Sequence, residues 1–307
     1  MSDSKRSVTK PYRQPLGDKL WRNFVIGVPY FWLVLFFLAP FAIVLKISFA
    51  TPIVALPPFT PLLDFSANAG HWLLATWDNY RFLTEDNLYW VSYFKSIKIA
   101  AISTFICLLI GYPMAYGIAR ATPTTRNILL MLVILPFWTS FLLRVYAWMG
   151  LLGKNGIVNS LLMNIGLIDT PLQMLYTDMA VYIGIVYTYI PFMILPLYAT
   201  LEKMDTSLHD AAADLGTKPW QTFIDVTLPL SMPGIIAGSL LVFIPAIGEY
   251  VIPALLGGID SLMIGRTLYD EFFVNRDWPL ASAVATLLLI IVVIPIMLFQ
   301  RSQQEQE

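Results

Sequence analysis

Residues 207–229 read SLHDAAADLGTKPWQTFIDVTLP, a short polar stretch between two long apolar ones. Ser207 with Asp210 three residues later resembles a capping box, and the alanines at 211–213 favour helix. Gly216 is typical of a helix end, whereas Pro219 suits the first turn of a following helix. The stretch therefore predicts two short helices around a glycine, lying parallel to a membrane between two spans.

Apolar stretches of about 20 residues, the length that crosses a bilayer as a helix, recur on both sides of this hairpin. Most contain a proline, which membrane helices tolerate when neighbouring helices satisfy the freed carbonyl groups. Kinked and mutually packed helices suit a path for a solute. We therefore predict an all-α integral membrane protein with six transmembrane helices, at 24–47, 97–119, 128–150, 178–201, 233–256 and 280–299.

The composition agrees with membrane insertion. Of the 307 residues, 57% are apolar and only 13% are charged, against roughly 25% charged in soluble domains. The net charge of −1 gives no sign of a nucleic-acid partner. Cys107 is the only cysteine, which excludes an intrachain disulfide and a zinc site built on cysteines. We expect neither a metal site nor catalytic residues in this chain.

Lysine and arginine side chains near the span ends predict the orientation, because short basic loops stay on the cytoplasmic side. Arg120, Lys218 and Arg301 join the basic N-terminus on that side when both termini are cytoplasmic. The first apolar run, at 24–45, is too long for a cleaved signal peptide. The predicted organisation is a cytoplasmic segment at 1–23, a six-helix transmembrane domain at 24–299 with an inside loop at about 202–232, and a cytoplasmic tail at 300–307.

The spacing within the hairpin resembles the EAA loop of ABC-importer permeases, which has Glu-Ala-Ala, three residues, Gly, nine residues, Ile, one residue and Leu-Pro. Asp210 stands where the family usually has Glu, and Val226 stands where it usually has Ile. The resemblance implies a seat for a separate cytosolic ATPase, whereas the segment alone would suggest an interfacial amphipathic hairpin. The implied ATPase-coupling residues are Asp210, Ala211, Ala212, Gly216, Val226, Leu228 and Pro229.

The resemblance extends over nearly the whole chain and is closest to the permease subunits of bacterial polyamine importers, in particular those of putrescine systems. Segments that carry it include 109–113 (LIGYP), 144–150 (RVYAWMG), 264–268 (IGRTL) and 275–285 (NRDWPLASAVA). It implies a type I, MetI-like permease in the bacterial inner membrane that carries putrescine or spermidine. The implied partners are a second permease, two copies of an ATPase that hold ATP and Mg, and a periplasmic solute-binding protein. This chain itself is expected to bind no cofactor.

Glu249 is the leading candidate for contact with the solute, because a charge within a span is costly and is therefore a functional candidate. It lies about seven residues from the outer end of the fifth predicted span, roughly 10 Å at helical rise. Its carboxylate could hold an ammonium group of a polyamine or be neutralised by a buried partner. Aromatic faces attract cations by roughly 0.5 to 2 kcal/mol, so the candidate wall residues, which could equally be packing residues, are Trp138, Tyr146, Tyr187 and Tyr189.

Arg144 is the other charge within a predicted span, and it would repel a polyamine. A carboxylate such as Asp178 or Glu249 is expected to neutralise it. We predict a structural or gating ion pair of Arg144 with Asp178. A pair with Glu249 instead would weaken the hypothesis of a cation site.

Two other classes of function are less well supported by the residues. An ATPase is not predicted, because the chain contains no GxxxxGK[ST] phosphate loop, and an HExxH metalloprotease motif is also missing. An ion-coupled secondary transporter would usually show an inverted repeat or ion-binding carboxylates at mid-membrane, and neither is evident. A permease of the same ABC class for another small solute, such as an amino acid or a metal ion, stays open.

Overall fold

The computed structural model describes residues 16–61, 75–205 and 207–304, where regular structure is helical apart from one β-bridge between Pro52 and Phe59. Short π-helical turns at Val34–Leu38, Phe223–Thr227 and Asp270–Val274 and a 3₁₀ turn at Leu135–Trp138 interrupt or extend the helices. The α-helices are α1 Leu16–Leu33, α2 Ala39–Ser48, α3 Asp78–Glu85, α4 Asn87–Arg120, α5 Pro123–Ile134, α6 Phe141–Leu152, α7 Ile157–Asn164, α8 Asp178–Glu202, α9 Ser207–Asp214, α10 Pro219–Thr222, α11 Leu228–Leu230, α12 Met232–Ile247, α13 Val251–Leu255, α14 Ile264–Tyr269 and α15 Trp278–Gln304.

Each of the six predicted spans falls on helical structure. Three helices are long and apolar enough to cross a bilayer without a break, namely the segment Trp21–Ser48, α4 and α8. Helix α15 carries a shorter apolar part, Trp278–Val293. Helix α1 begins at Leu16, inside the segment predicted to be cytoplasmic, while residues 1–15 and 305–307 lie outside the described part of the chain.

The predicted span at 128–150 is not one straight helix, because the chain breaks there between two helices. The segments Pro123–Trp138 and Phe141–Asn164 meet at 91°. Pro136 lies in the 3₁₀ turn, and Thr139 and Ser140 are not helical. Proline has no N–H to donate and its ring clashes with the preceding turn, so the helix ends soon after it. The break divides the predicted span into two shorter helices, α5 and α6.

The predicted span at 233–256 is also interrupted. Helix α12 ends at Ile247, and the chain runs through Gly248, Glu249 and Tyr250 before α13 begins at Val251. The preceding segment Pro219–Leu230 meets α12 at 64°. Gly265 at the beginning of α14 lies so close to the carbonyl groups of Gly248 and Glu249 that a Cβ there would clash. The start of α14 therefore packs closely against the backbone of the break, and Gly265 is the residue that permits this approach.

Helices α4, α8 and α12 form the centre of the bundle, and small residues let them approach closely. A Cβ on Gly238 of α12 would lie 2.9 Å from Sδ of Met193, and one on Gly184 of α8 would lie 2.8 Å from Ile252. Met193, Ile185 and Ile252 are fully buried. Small residues at helix crossings are the usual means of close packing in membranes, where van der Waals contact supplies most of the attraction.

Candidate coupling and translocation sites

The first helix of the predicted hairpin, α9, is held at its start by Asp205. The Asp205 carboxylate accepts a hydrogen bond of 2.9 Å from the backbone N–H of Ser207, and this bond lowers the pKa of the carboxyl group. The capping box expected between Ser207 and Asp210 is not formed, because Ser207 is already the first helical residue. The prediction of a short helix here is confirmed, with its cap two residues earlier.

Gly216 ends this helix in the left-handed conformation, at φ +81°. Its N–H donates to the carbonyl oxygen of Ala213 at 2.9 Å, and the N–H of Thr217 donates to that of Ala212 at 3.2 Å. Glycine adopts positive φ without the steric cost that a Cβ imposes. The backbone N–H of Lys218 then donates to Gln221 Oε1. This bond caps the start of α10, whose first residue is Pro219. Gly216 therefore sets the reversal between the two arms of the hairpin.

The second arm of the hairpin is anchored on the end of α4. The ring of Phe223 packs edge-on against Tyr112, with centroids 5.5 Å apart, and the Tyr112 hydroxyl lies 2.9 Å from Ser231 Oγ. His209 in α9 contacts the hydroxyl of Thr227 at 3.0 Å and the guanidinium of Arg120 at 3.0 Å. Both arms therefore contact the end of α4, and the residues they meet there extend to Ser231 at the start of α12.

The predicted coupling residues are divided between the outer surface of the hairpin and its interior. Asp210, Ala211 and Gly216 are exposed, but Ala212 is only 8% exposed. Further along the chain, Val226 and Leu228 are half-buried on either side of the buried Thr227, while Pro229 is exposed. The outer surface also carries two large apolar side chains that the sequence analysis did not single out, Leu215 (84% exposed) and Trp220 (60% exposed). Exposed apolar groups on a polar loop are typical of a protein contact.

Glu249 lies at the break between α12 and α13 and is 8% exposed. Its carboxylate accepts a hydrogen bond of 2.6 Å from the hydroxyl of Tyr189 and two longer ones, of 3.1 and 3.4 Å, from the N–H groups of Val251 and Ile252. Within the described residues, no lysine, arginine or histidine lies within 4.0 Å of it. The anion is therefore oriented by neutral donors, and a carboxylate has acceptor capacity left for a cation.

Tyr189, which donates to this carboxylate, lies near the middle of α8, a helix long and apolar enough to cross a bilayer. It is roughly 17 Å along α8 from Asp178 and roughly 20 Å from Glu202 at 1.5 Å per residue. A charge at that depth costs about 2.5 to 3.5 kcal/mol on insertion scales. The three hydrogen bonds offset part of this cost, which is consistent with a functional carboxylate.

A row of aromatic rings leads from Tyr189 to Arg144. Phe192 packs at 6.1 Å from Tyr189, and Phe137 packs edge-on at 5.2 Å from Phe192. The Arg144 guanidinium lies over the ring of Phe137 at 5.4 Å and near Phe141 at 5.8 Å. Phe192 and Phe137 were not among the predicted wall residues. Phe192 follows Tyr189 by three residues, a spacing that puts these two side chains on one face of a helix.

The other predicted wall residues are not brought together with Glu249. Tyr187 faces away from Tyr189, since two residues turn a helix by about 200°, and it packs edge-on against Trp148 at 5.4 Å. There it borders an apolar pocket of about 370 Å³ between α4, α6 and α8. Trp138 and Tyr146 are 74% and 55% exposed, and neither forms an aromatic pair with a described ring.

The predicted ion pair of Arg144 with Asp178 is not formed. Asp178 begins α8 at the end of the bundle opposite the hairpin, where its carboxylate lies 3.5 Å from Lys95 Nζ and accepts a hydrogen bond from Ser261. Arg144 lies on α6, over the rings of Phe137 and Phe141. Among the described residues, no carboxylate lies within 4.0 Å of Arg144, and its buried Nε has no hydrogen-bond partner.

Beside Glu249, Tyr250 begins a second aromatic stack that the sequence analysis did not single out. Its ring lies parallel to that of Tyr269, with centroids 4.5 Å apart, and Tyr269 contacts Phe273 at 4.7 Å. Tyr250 is 37% exposed and Phe273 is 61% exposed. A second group of aromatic rings thus begins at the residue that follows Glu249, in addition to the row that starts at Tyr189. No group of three or more His, Cys, Asp or Glu side chains able to hold a metal occurs in the described part of the chain.

Broken apolar helices with charged groups at mid-depth define the chain as a membrane transport protein. The family model described as binding-protein-dependent transport system inner membrane component matches residues 108–304. The chain belongs to this family and is a multi-pass inner-membrane protein.

Individual proteins similar to this chain are consistent with its membership of this family. The spermidine/putrescine transport system permease protein PotB of Haemophilus influenzae is 39% identical over 284 residues, covering 92% of this chain and 94% of the relative. PotB of Escherichia coli is 39% identical over 273 residues, covering 89% of this chain and 94% of the relative. The crystal structure of a bacterial ABC transporter that imports alginate contains a chain with TM-score 0.65 and 16% identity, covering 94% of this chain and 98% of that one. The predicted type I, MetI-like permease fold is confirmed.

Proposed function

We propose that this chain is the translocation subunit of an ATP-driven importer of polyamines such as putrescine and spermidine. The observation that carries the proposal is Glu249, a mid-membrane carboxylate held by neutral donors with no cationic partner among the described residues. A polyamine carries ammonium groups separated by apolar methylene segments, and a lone carboxylate bordered by aromatic rings matches both features. The names of the PotB relatives support the same solute class.

The hairpin at 207–230 is the proposed contact with a separate cytosolic ATPase. Its exposed surface combines Asp210, Ala211 and Gly216 with the apolar Leu215 and Trp220. Its inner side is fixed to α4 through Phe223 and His209. A rigid hairpin of this kind transmits movement of the ATPase to the helices that hold Tyr189 and Glu249, so that the solute path opens alternately to the two sides.

The complete importer would contain a second permease, two ATPase copies that bind ATP and Mg, and a periplasmic solute-binding protein. A solved structure of similar fold (TM-score 0.63, 17% identity) shows an alginate transporter with its periplasmic protein bound, which illustrates such an assembly. In this arrangement the hairpin and both termini are cytoplasmic, in agreement with the basic residues near the span ends. The segments around Lys95, Asp178 and Asp260 then face the periplasm.

Uptake in cells tests the proposal. Cells that lack this chain should lose uptake of radiolabelled putrescine or spermidine, and expression of the chain should restore it. The variant Glu249→Gln should reduce restored uptake at least tenfold at an unchanged protein level. Glu85→Gln, which removes an exposed outer carboxylate paired with Arg81, should leave uptake unchanged. Unaltered polyamine uptake in cells lacking the chain would contradict the substrate assignment and would direct the search to an amino acid or a metal ion.

A further inference from the structure

Arg144 lies near the centre of the membrane. The ring of Trp148, one helical turn further toward the outside on α6, packs against Tyr187, which is roughly 14 Å along α8 from the outer end. Phe137, beneath the guanidinium, packs against Phe192, roughly 15 Å from the inner end of α8. The guanidinium is thus more than a side-chain length from both lipid headgroup regions, and it cannot reach a lipid phosphate by extending toward the interface.

The described part of this chain does not neutralise the charge. The guanidinium contacts the faces of Phe137 and Phe141, its Nε is buried without an acceptor, and no described carboxylate lies within 4.0 Å. Aromatic faces supply only part of the interaction energy that an arginine loses on leaving water. The solute cannot supply the rest, because a polyammonium ion would be repelled. An anion carried by another protein chain would supply the missing interaction.

The face that carries Arg144 is open to such a chain. Phe137 is 37% exposed and Phe192 is 36% exposed, so the rings between Arg144 and Tyr189 are not covered within this chain. Ser140 and Ala147, which lie four residues before and three residues after Arg144 and therefore on its side of α6, are also exposed. Buried charges in membranes pair with one another across helix contacts.

We propose that Arg144 is an interface residue, which accepts a carboxylate of the second permease subunit across the row Phe137, Phe192 and Tyr189. This inference rests on the two-permease assembly of the proposed function. It assigns opposite charges to the two ends of the row. Glu249 at one end binds the cationic solute. At the other end, Arg144 pairs with the partner's carboxylate; this ion pair stabilises the contact between the subunits and, because it is neutral overall, does not attract the solute. Arg144 is in this view a positioning residue.

Cross-linking in the purified, reconstituted importer tests the contact while Arg144 stays in place. The variant Phe141→p-benzoylphenylalanine keeps an aromatic ring beside the guanidinium, and illumination should join it to a peptide of the second permease that contains Asp or Glu. A cross-link only to lipid or to this chain itself, in a complex that still contains both permeases, would overturn the inference while leaving the proposed function intact. Failure of any second permease to co-purify with the unaltered chain would contradict the proposed function instead.

Variants that exchange the two charges test whether Arg144 and the partner's carboxylate form an ion pair. Arg144→Glu should lower co-purification of the second permease at least tenfold, and Arg144→Lys should retain most of it. Replacing the carboxylate found in the cross-linked peptide by lysine should restore assembly of the Arg144→Glu variant. Arg81→Met, which removes an exposed outer arginine, is the control and should have no effect on assembly. Normal assembly of Arg144→Glu, or failure of every such lysine to restore it, would overturn the inference.

Discussion

At the scale of single residues, the hydrogen bond between Tyr189 and Glu249 defines the candidate solute site. The tyrosine hydroxyl donates to the carboxylate at 2.6 Å and fixes its orientation. Hydrogen bonds to charged groups contribute about 1.5 to 3 kcal/mol, more than bonds between neutral groups. Tyr187, only two residues away, packs on the opposite side of α8. The two tyrosines therefore form a matched pair for experiment.

Tyr189→Phe should raise the KM for polyamine uptake about tenfold, which corresponds to about 1.4 kcal/mol. The ring remains, but the carboxylate loses its shortest hydrogen bond and is no longer held in one orientation. Concentration-dependent uptake measures the effect. Tyr187→Phe should change KM by less than twofold, and an equal effect of the two substitutions would contradict the assignment of Tyr189 to the site.

At the scale of structural elements, the hairpin α9–α10 depends on one backbone conformation. Gly216 adopts φ +81°, which a β-branched residue adopts only at considerable cost. Asparagine tolerates this conformation better than other residues with a side chain. Apart from its two chain neighbours, no atom of a described residue lies within 4 Å of the position that a Cβ on Gly216 would take, so a substitution acts there through the backbone.

Gly216→Val should therefore uncouple the importer, whereas Gly216→Asn should retain most of its activity. We expect that in proteoliposomes the ATPase activity of the Val variant no longer rises with solute-loaded binding protein, and that uptake falls at least tenfold. The ATPase activity and uptake of the same preparations measure this. Equal behaviour of the two variants would show that backbone strain at Gly216 is not what controls coupling.

At the scale of the whole molecule, the bundle separates a polar hairpin at one end from the Lys95–Asp178 cluster at the other. Lys95 joins α4 to the start of α8 and donates to the carbonyl oxygen of Asp260, while Ser261 donates to Asp178. The ion pair is partly exposed and contributes little stability by itself. It marks the end of the bundle that faces the periplasm in the proposed orientation.

Cysteine labelling tests this orientation. The variant Cys107→Ala removes the buried native thiol, and Lys218→Cys or Asp260→Cys then introduces a single exposed one. In intact cells a membrane-impermeant maleimide should label position 260 and not position 218, and both should react after permeabilisation. Labelling of position 218 alone in intact cells would reverse the proposed topology.

Several features of this protein were predictable from the sequence because they depend on local chemistry. These features are the apolar runs of span length, the helix end at Gly216 and the spacing of residues from Asp210 to Pro229. Each depends only on residues that are close together in the sequence. Glu249 and Arg144 also stood out from the sequence, since charges are rare in apolar stretches. The partner of each charge was a different matter, because it depends on which faces of distant helices meet.

Only the tertiary structure decided that Tyr189, and not Tyr187, Trp138 or Tyr146, contacts Glu249. It also decided that Asp178 pairs with Lys95 rather than with Arg144. The break after Pro136 sets the depth and rotation of α6, which carries Arg144, and the break between α12 and α13 contains Glu249 itself. An apolar stretch has nearly the same composition whether its helix is straight or broken, so a pattern of hydropathy does not determine rotation, whereas packing against α4 and α8 does.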